Sequence, residues 1–212
     1  MRVGFNIPNF RCSPKIRPYL EKVFEGEYDV PISLERPVII DIGANSGAFA
    51  IWAAHRWPIS MIHSYEPQEE IFDEFFQNIV SSCLTRVIRP HNWGIGNPGM
   101  RPFYHGVNNS GEATLYPNPT SSDLGYHIEV RSPLSLPHAN IIKIDAEGVE
   151  LEIMEPLIRD GRSFDAILLE YHSAGDRVRL DQLLVEDYIM WGIEVAGIGR
   201  GTVRYLNRKY FV

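Results

Sequence analysis

Cysteine is scarce. Cys12 and Cys83 are the two in 212 residues, too few and too isolated for a disulfide framework or a cysteine-ligated metal, so both read as free thiols. Long apolar runs are missing too. The longest are strand-length, which argues against a transmembrane helix, and residues 1–8 (MRVGFNIP) lack the uninterrupted apolar region of a secretory signal. The cytoplasm is therefore the expected compartment. Positive charge is short: 20 Lys and Arg against 27 Asp and Glu leave a net charge of −7. That weighs against a nucleic-acid partner, whose phosphates Lys and Arg would have to meet, without excluding an RNA substrate. The sequon Asn108-Asn109-Ser110 reads as chance. The 44% hydrophobic content is ordinary, and the length suits one α/β domain with a sizeable core.

Against these absences one stretch organises the chain. Val38 to Ile42 is an apolar run broken only by Asp41, and Gly43-Ala44-Asn45-Ser46-Gly47 leads from it into a helical pattern at Ala48 and Phe49. A strand buried on both faces reads as a continuous apolar run, so the stretch predicts strand, ligand loop and helix. Gly43 and Gly47 lack Cβ atoms, which lets the backbone turn sharply and lets a ligand approach the loop and the first N–H groups of the helix. The acid and the shortened glycine pattern differ from the G-x-G-x-x-G fingerprint that serves a pyrophosphate. Asp41 better suits a zwitterionic amino-acid tail. Nineteen residues after Gly47, a second apolar run ends in Tyr65-Glu66-Pro67. An acid there accepts hydrogen bonds from both ribose hydroxyls in nucleotide-binding α/β folds; a plain surface glutamate is the alternative. Adenosine-containing ligands of several classes fit these two features.

The remainder alternates in kind. An N-terminal extension, residues 1–36, carries a predicted helix at 14–25, and the core spans 37–212. Helices are predicted at 48–57, 68–80, 147–159 and 180–191, the second with Ile71, Phe72, Phe75, Phe76 and Ile79 at helical spacing. Strands are predicted at 60–65, 85–89, 141–144, 167–171, 193–197 and 202–206. Residues 97–137 read as a loop-bearing insertion with extended pieces at 102–105, 112–116 and 127–131.

The pattern resembles the FkbM family of class I S-adenosylmethionine-dependent methyltransferases. The matching residues are DIGANSGAFA from Asp41 to Ala50, Tyr65-Glu66-Pro67 with Asn78 after it, IKIDAEGVELE from Ile142 to Glu152, and ILLEYH from Ile167 to His172; KIDAEGVE is the specific part. The resemblance implies a Rossmann-like α/β fold, with a seven-stranded mostly parallel sheet, helices on both faces and an antiparallel last strand. It implies S-adenosylmethionine as cofactor, S-adenosylhomocysteine as product, and O-methylation of a sugar, glycan or natural-product-like hydroxyl. It puts the cofactor against Asp41, Gly43, Ala44, Asn45, Gly47, Phe49, Glu66 and Pro67, with adenine near Asn92 and Trp93 and the sulfonium beside Asp145. The N-terminal element, through residues 24–31 (FEGEYDVP), would help cover the cofactor, although a helix that simply caps the sheet is the plainer alternative. The family often has an acid where Ser132-Pro133 stands.

Catalytic candidates gather at strand ends, where open α/β sheets bind ligands. Lys143, Asp145 and Glu147 follow one strand, and Glu170 and His172 end another. Glu147 and Glu150 fall three apart on the predicted helix, and capping of a helix N-terminus is their alternative role. Methyl transfer is an in-line displacement for which the protein aligns an acceptor and excludes water. A hydroxyl acceptor also needs a proton sink, which Asp145 or His172 can supply, with Lys143 or Glu170 orienting it; an ordinary histidine pKa of about 6.5 suits that task. No Cys or His cluster demands a metal, although carboxylates can recruit magnesium. Two other classes stand beside this one: a nicotinamide-dependent oxidoreductase, weakened by the missing third fingerprint glycine, and a cofactor-binding scaffold without turnover. Composition names neither the acceptor nor an oligomeric state.

Overall fold

The computed structural model describes residues 10–104, 115 and 124–211. Helix α1 (Arg17–Phe24) precedes strand β1 (Val38–Ile42), helix α2 (Ala48–Arg56), β2 (Met61–Tyr65), α3 (Glu69–Ser81) and β3 (Ile88–His91). Three further strands, β4 (Gly94–Ile95), β5 (Gly99–Tyr104) and β6 (Leu124–Arg131), lead to β7 (Ile141–Ile144), α4 (Glu150–Arg159) and β8 (Ala166–Tyr171). Helix α5 (Ala174–Leu184), β9 (Tyr188–Gly197) and β10 (Arg200–Asn207) complete the order.

Seven strands form one sheet in the order β3-β2-β1-β7-β8-β10-β9. Strand β10 is antiparallel to both of its neighbours and the other pairs are parallel. This is the fold that the resemblance implies. Successive side chains on a strand point to opposite faces, and β1 divides its residues accordingly. Ile39 packs with Val23, Ile51 and Phe75 of α1, α2 and α3. Ile40 and Ile42 pack with Ile153 of α4 and Leu180 of α5 on the other face. The cross-strand partners Asp41 and Lys143 lie in register on the first face.

Strands β4, β5 and β6 form a separate three-stranded sheet in the order β4-β6-β5; β5 and β6 fall in the stretch read as a loop-bearing insertion, and Ile95, Phe103 and Ile128 join the second core. The sequon at Asn108, residues 1–8 and, Leu115 apart, the extended piece expected at 112–116 lie outside the described residues. Among the described residues no helix is long and apolar enough to cross a membrane.

Several boundaries differ from those expected, each for a local reason. Helix α4 begins at Glu150 rather than at residue 147, because Glu147 and Gly148 have φ of 51° and 102°, outside the right-handed helical region. Glu147 is therefore a loop residue and does not share a helix face with Glu150. The last helix starts at Ala174, not at residue 180, capped by Ser173, whose hydroxyl accepts from the Asp176 N–H at 3.3 Å. The apolar run after it enters β9 instead. The third strand starts three residues later than predicted and ends two later, at Ile88–His91.

Both loop glycines answer to the protein's own packing. Gly43 has φ of 73°, and a Cβ there would stand 1.8 Å from the Asp145 carbonyl oxygen. Gly47 has φ of 91°, and a Cβ would meet the Phe75 ring at 2.2 Å. Gly148 is also left-handed, but has nothing within 4 Å of the same point. Gly43→Ala and Gly148→Ala should thus share a strain of about 1–3 kcal/mol, while only the first adds a backbone clash. Thermal denaturation should show the Gly43 variant melting clearly lower than the Gly148 variant, at about 2–4 °C per kcal/mol; equal melting temperatures would contradict this packing.

Candidate active site

Two cavities open at the carboxyl ends of β1, β7 and β8. The first has a polar rim of Asn45, Glu66 and Gln68 and an apolar wall of Ile95, Phe103, Leu115 and Ile128. The second, about 190 Å³, lies over Phe49, Lys143, Glu170, His172 and Arg200, and is roofed by Ile16, Tyr19, Leu20 and Val23 from α1 and its lead-in, with Tyr28 beyond. Gly43, Asn45, Asp145 and Glu147 border both. A ligand reaching from one cavity into the other would cross these four residues.

Glu66 follows directly on β2 and is buried. Its Oε2 accepts from the Asn45 N–H and its Oε1 from the Gln68 N–H, both at 2.9 Å. Each oxygen keeps further acceptor capacity, since a carboxylate offers about four lone-pair sites. Burial raises its pKa to about 7, against the two backbone hydrogen bonds that favour the charged form. Beneath the loop, Asn78 of α3 donates to the Ser46 and Arg11 carbonyls and accepts from the Arg11 N–H. It ties the loop, α3 and the N-terminal segment together.

Lys143 projects from β7 to the same strand ends with its side chain 4% exposed. Its ammonium donates to the Gly43 carbonyl at 2.7 Å and lies 3.4 Å from Asp41 and 3.6 Å from Asp145. Asp41 is fully buried, with the Lys143 ammonium and the Ser64 hydroxyl beside its carboxylate. The Lys143 charge is what compensates it. Burial pulls the Lys143 pKa down, yet Asp145 and Asp41 hold it above its ordinary value. Burial raises Asp41 in spite of Lys143. Asp41 thus lies under the site and borders neither cavity.

At the end of β8, the His172 side chain is 6% exposed and its Nδ1 stands 2.9 Å from Glu150 Oε1. The same oxygen accepts from the Gly148 N–H at 2.9 Å and the Ala146 N–H at 3.3 Å. Glu150 therefore folds the 146–148 loop back and fixes the imidazole at once. His172 Nε2 faces Glu147 at 3.4 Å and Glu170 at 3.7 Å. Burial disfavours the charged ring, but the hydrogen bond to Glu150 and the charges of Glu150, Glu147 and Asp145 outweigh it and push the pKa up to about 10. Such a shift favours the imidazolium and speaks against the role of neutral proton acceptor expected for His172. Glu147 is raised to about 7, by burial first. Glu170 is raised to about 8, by the Asp145 charge first and then by burial.

The structure thus brings together Gly43, Asn45, Glu66, Pro67, Asp145 and Glu147 around one cavity, and Ala44, Phe49, Lys143, Glu170 and His172 around the other. Gly47, Asn92 and Trp93 border neither. Asn92 donates to the Glu66 carbonyl at 2.9 Å, and the Arg131 guanidinium covers the Trp93 ring, 3.6 Å from its centroid. Sequence reasoning passed over Arg200, which reaches the site through long-range packing; Tyr28 lies in the 24–31 stretch expected to cover the cofactor, and Phe103, Leu115 and Ile128 lie in the expected insertion. Glu150 was legible only as a helix cap.

No family model matches the chain. Among curated proteins it is 21% identical over 166 residues to the hexuronic acid methyltransferase AglP of Haloferax volcanii, an alignment covering 72% of this chain and 63% of that protein. It is 20% identical over 194 residues to the methyltransferase sdnD of Sordaria araneosa, covering 74% of this chain and 75% of that one. The chain therefore spans somewhat under two thirds of the archaeal relative. Among solved structures it superposes on precorrin-6y C5,15-methyltransferase from Geobacter metallireducens with a TM-score of 0.56, at 14% identity and 98% coverage of both chains. The fold is that of the Rossmann-like class I methyltransferases.

Removing the Lys143 charge leaves Asp41 buried without compensation. Lys143→Met should destabilise the protein by about 3–5 kcal/mol, and Asp41→Asn in the same chain should recover much of that loss. A denaturant-unfolding double-mutant cycle measures this coupling; additive losses would show that the pair does not act as a unit.

Proposed function

We propose that this chain is an S-adenosylmethionine-dependent O-methyltransferase similar to the FkbM family, acting in the cytoplasm on a hydroxyl of a sugar, glycan or natural-product-like small molecule. The observation that carries the reading is Glu66: a buried carboxylate at the end of β2, each oxygen already oriented by one backbone N–H, facing a cavity with an apolar far wall. Two acceptor oxygens held side by side fit the two hydroxyls of a ribose, and Ile95, Phe103 and Ile128 fit an adenine face. The methyltransferase names of the sequence relatives support the same reading, and the archaeal relative's hexuronic acid supports a sugar acceptor.

In this assignment Glu66 holds the ribose, the Gly43 to Asn45 loop borders the amino-acid portion, and Asp145 stands where the two cavities meet. When bound, the cofactor supplies an activated methyl group on a sulfonium. The protein's share is to position the acceptor in the second cavity under α1, to exclude water and to take up the hydroxyl proton. Glu170 lines that cavity beside Lys143 and, in the ionised form that prevails above about pH 8, is placed to receive the proton, while His172, charged and held by Glu150, orients the carboxylates around it.

Calorimetric titration with S-adenosylhomocysteine tests the cofactor assignment. The wild-type chain should bind it and Glu66→Ala should lose at least tenfold in affinity. Glu66 has a pKa of about 7, so its charged form gives way to the protonated form as pH falls through that value. Affinity should therefore drop about tenfold from pH 8 to pH 6, and Glu66→Gln should flatten this dependence. Binding of NAD in place of S-adenosylhomocysteine would overturn the reading.

Glu170→Gln should lower kcat for methyl transfer to a hexuronic acid or related sugar by about 10²–10⁴-fold while leaving S-adenosylhomocysteine affinity intact. Unchanged turnover would remove Glu170 from the proton-acceptor role.

A further inference from the structure

Asp145 and Glu147, which border both cavities, and His172, which lines the second, each bring one ligand atom within 4.8 Å of the others. A group of acids alone would mean little, but His172 adds an observation of a different kind. Its side chain is 6% exposed, its Nδ1 is engaged by Glu150, and its Nε2 makes no hydrogen bond among the described residues. The carboxylate oxygens nearest that nitrogen, on Glu147 and Glu170, stand 3.4 and 3.7 Å away. A ring nitrogen of a largely buried imidazole is thus aimed into a space ringed by carboxylates, held there by ion pairs to Glu147 and Glu170 rather than by a hydrogen bond. Glu150, itself buried and outside the ring, stands behind the other nitrogen. A carboxylate in that position fixes a metal-ligating imidazole: it keeps the proton on Nδ1 and presents the Nε2 lone pair.

We propose that Asp145, Glu147 and His172 form a binding site for one divalent first-row cation, with Mn²⁺ as its representative and Glu170 beside it. An imidazole with carboxylates suits that class better than Ca²⁺ or Mg²⁺, which favour all-oxygen surroundings. In the metal-free chain a proton on His172 answers the same negative charge, and the cation takes its place, so binding releases that proton. The cation would lie where the acceptor cavity meets the cofactor cavity and hold an acceptor through neighbouring oxygens, a vicinal diol or a hydroxy acid. That acceptor preference rests on the methyltransferase reading; the metal site does not.

The test uses the full chain, stripped with a chelator and titrated with MnCl₂ under electron paramagnetic resonance. One saturable Mn²⁺ per chain is expected, with spin-echo modulation from a single imidazole nitrogen. His172→Gln should abolish that modulation, and Glu150→Gln should weaken binding about 10–100-fold. Absence of saturable binding to the folded wild-type chain, or saturable binding without the nitrogen signal, overturns the proposal, and neither result depends on a variant folding. S-adenosylhomocysteine titration of the same sample separates the two readings. Mn²⁺ binding without S-adenosylhomocysteine binding sinks the methyltransferase assignment and keeps the metal site; the reverse keeps the enzyme and removes the metal.

Discussion

The buried Lys143 ammonium is the interaction on which the rest of the site depends. It stands between two acids on neighbouring strands, 3.4 Å from Asp41 and 3.6 Å from Asp145, and also donates to the Gly43 carbonyl. One charge therefore fixes the end of β1, the end of β7 and the first turn of the loop between β1 and α2. That loop presents the Asn45 N–H to Glu66, so the ribose-facing carboxylate is held in place at one remove by Lys143. Ion pairs buried this deeply add little net stability, because desolvation opposes the attraction. Their service here is to fix geometry, and the cost of breaking one falls on the charge left behind.

The second organising element is Glu150. One oxygen collects the Ala146 and Gly148 N–H groups and the His172 ring, joining the loop after β7 to the end of β8. It also permits the left-handed turn at Glu147 and Gly148, which lifts Glu147 off the helix and into the ring of acids. The concentration of carboxylates is electrostatically unfavourable in isolation. Lys143 and His172 are charged inside it, and Arg200 lowers the cost at Glu147. A site built in this way favours whichever additional cation, sulfonium, ammonium or metal, reduces the excess negative charge.

Much of this architecture could be read from the residues. The apolar run at Val38 to Ile42, followed by a glycine loop and a helix, gives strand, loop and helix because both faces of a parallel strand are buried. The acid nineteen residues beyond Gly47 is Glu66, which lines a cavity beside that loop. Contacts between distant segments were less accessible. Gly43 and Gly47 read as space for a ligand, whereas the Asp145 carbonyl and the Phe75 ring fill that space. Trp93 offered itself as an adenine platform, but Arg131, brought in by β6, covers its face. His172 read as an ordinary histidine because nothing in its neighbourhood in sequence reports a buried glutamate 22 positions earlier. Arg200 arrives through the β10 pairing, which no local pattern specifies.

The central claim is that an adenosyl ligand fills the first cavity, held at its ribose by Glu66, with its sulfur at the junction with the second. A crystal structure of the chain with S-adenosylhomocysteine tests it most directly. The account predicts both ribose hydroxyls on the Glu66 oxygens, adenine against Ile95, Phe103 and Ile128, and the sulfur beside Asp145. Density for the ligand elsewhere, or a ribose turned away from Glu66, would contradict it.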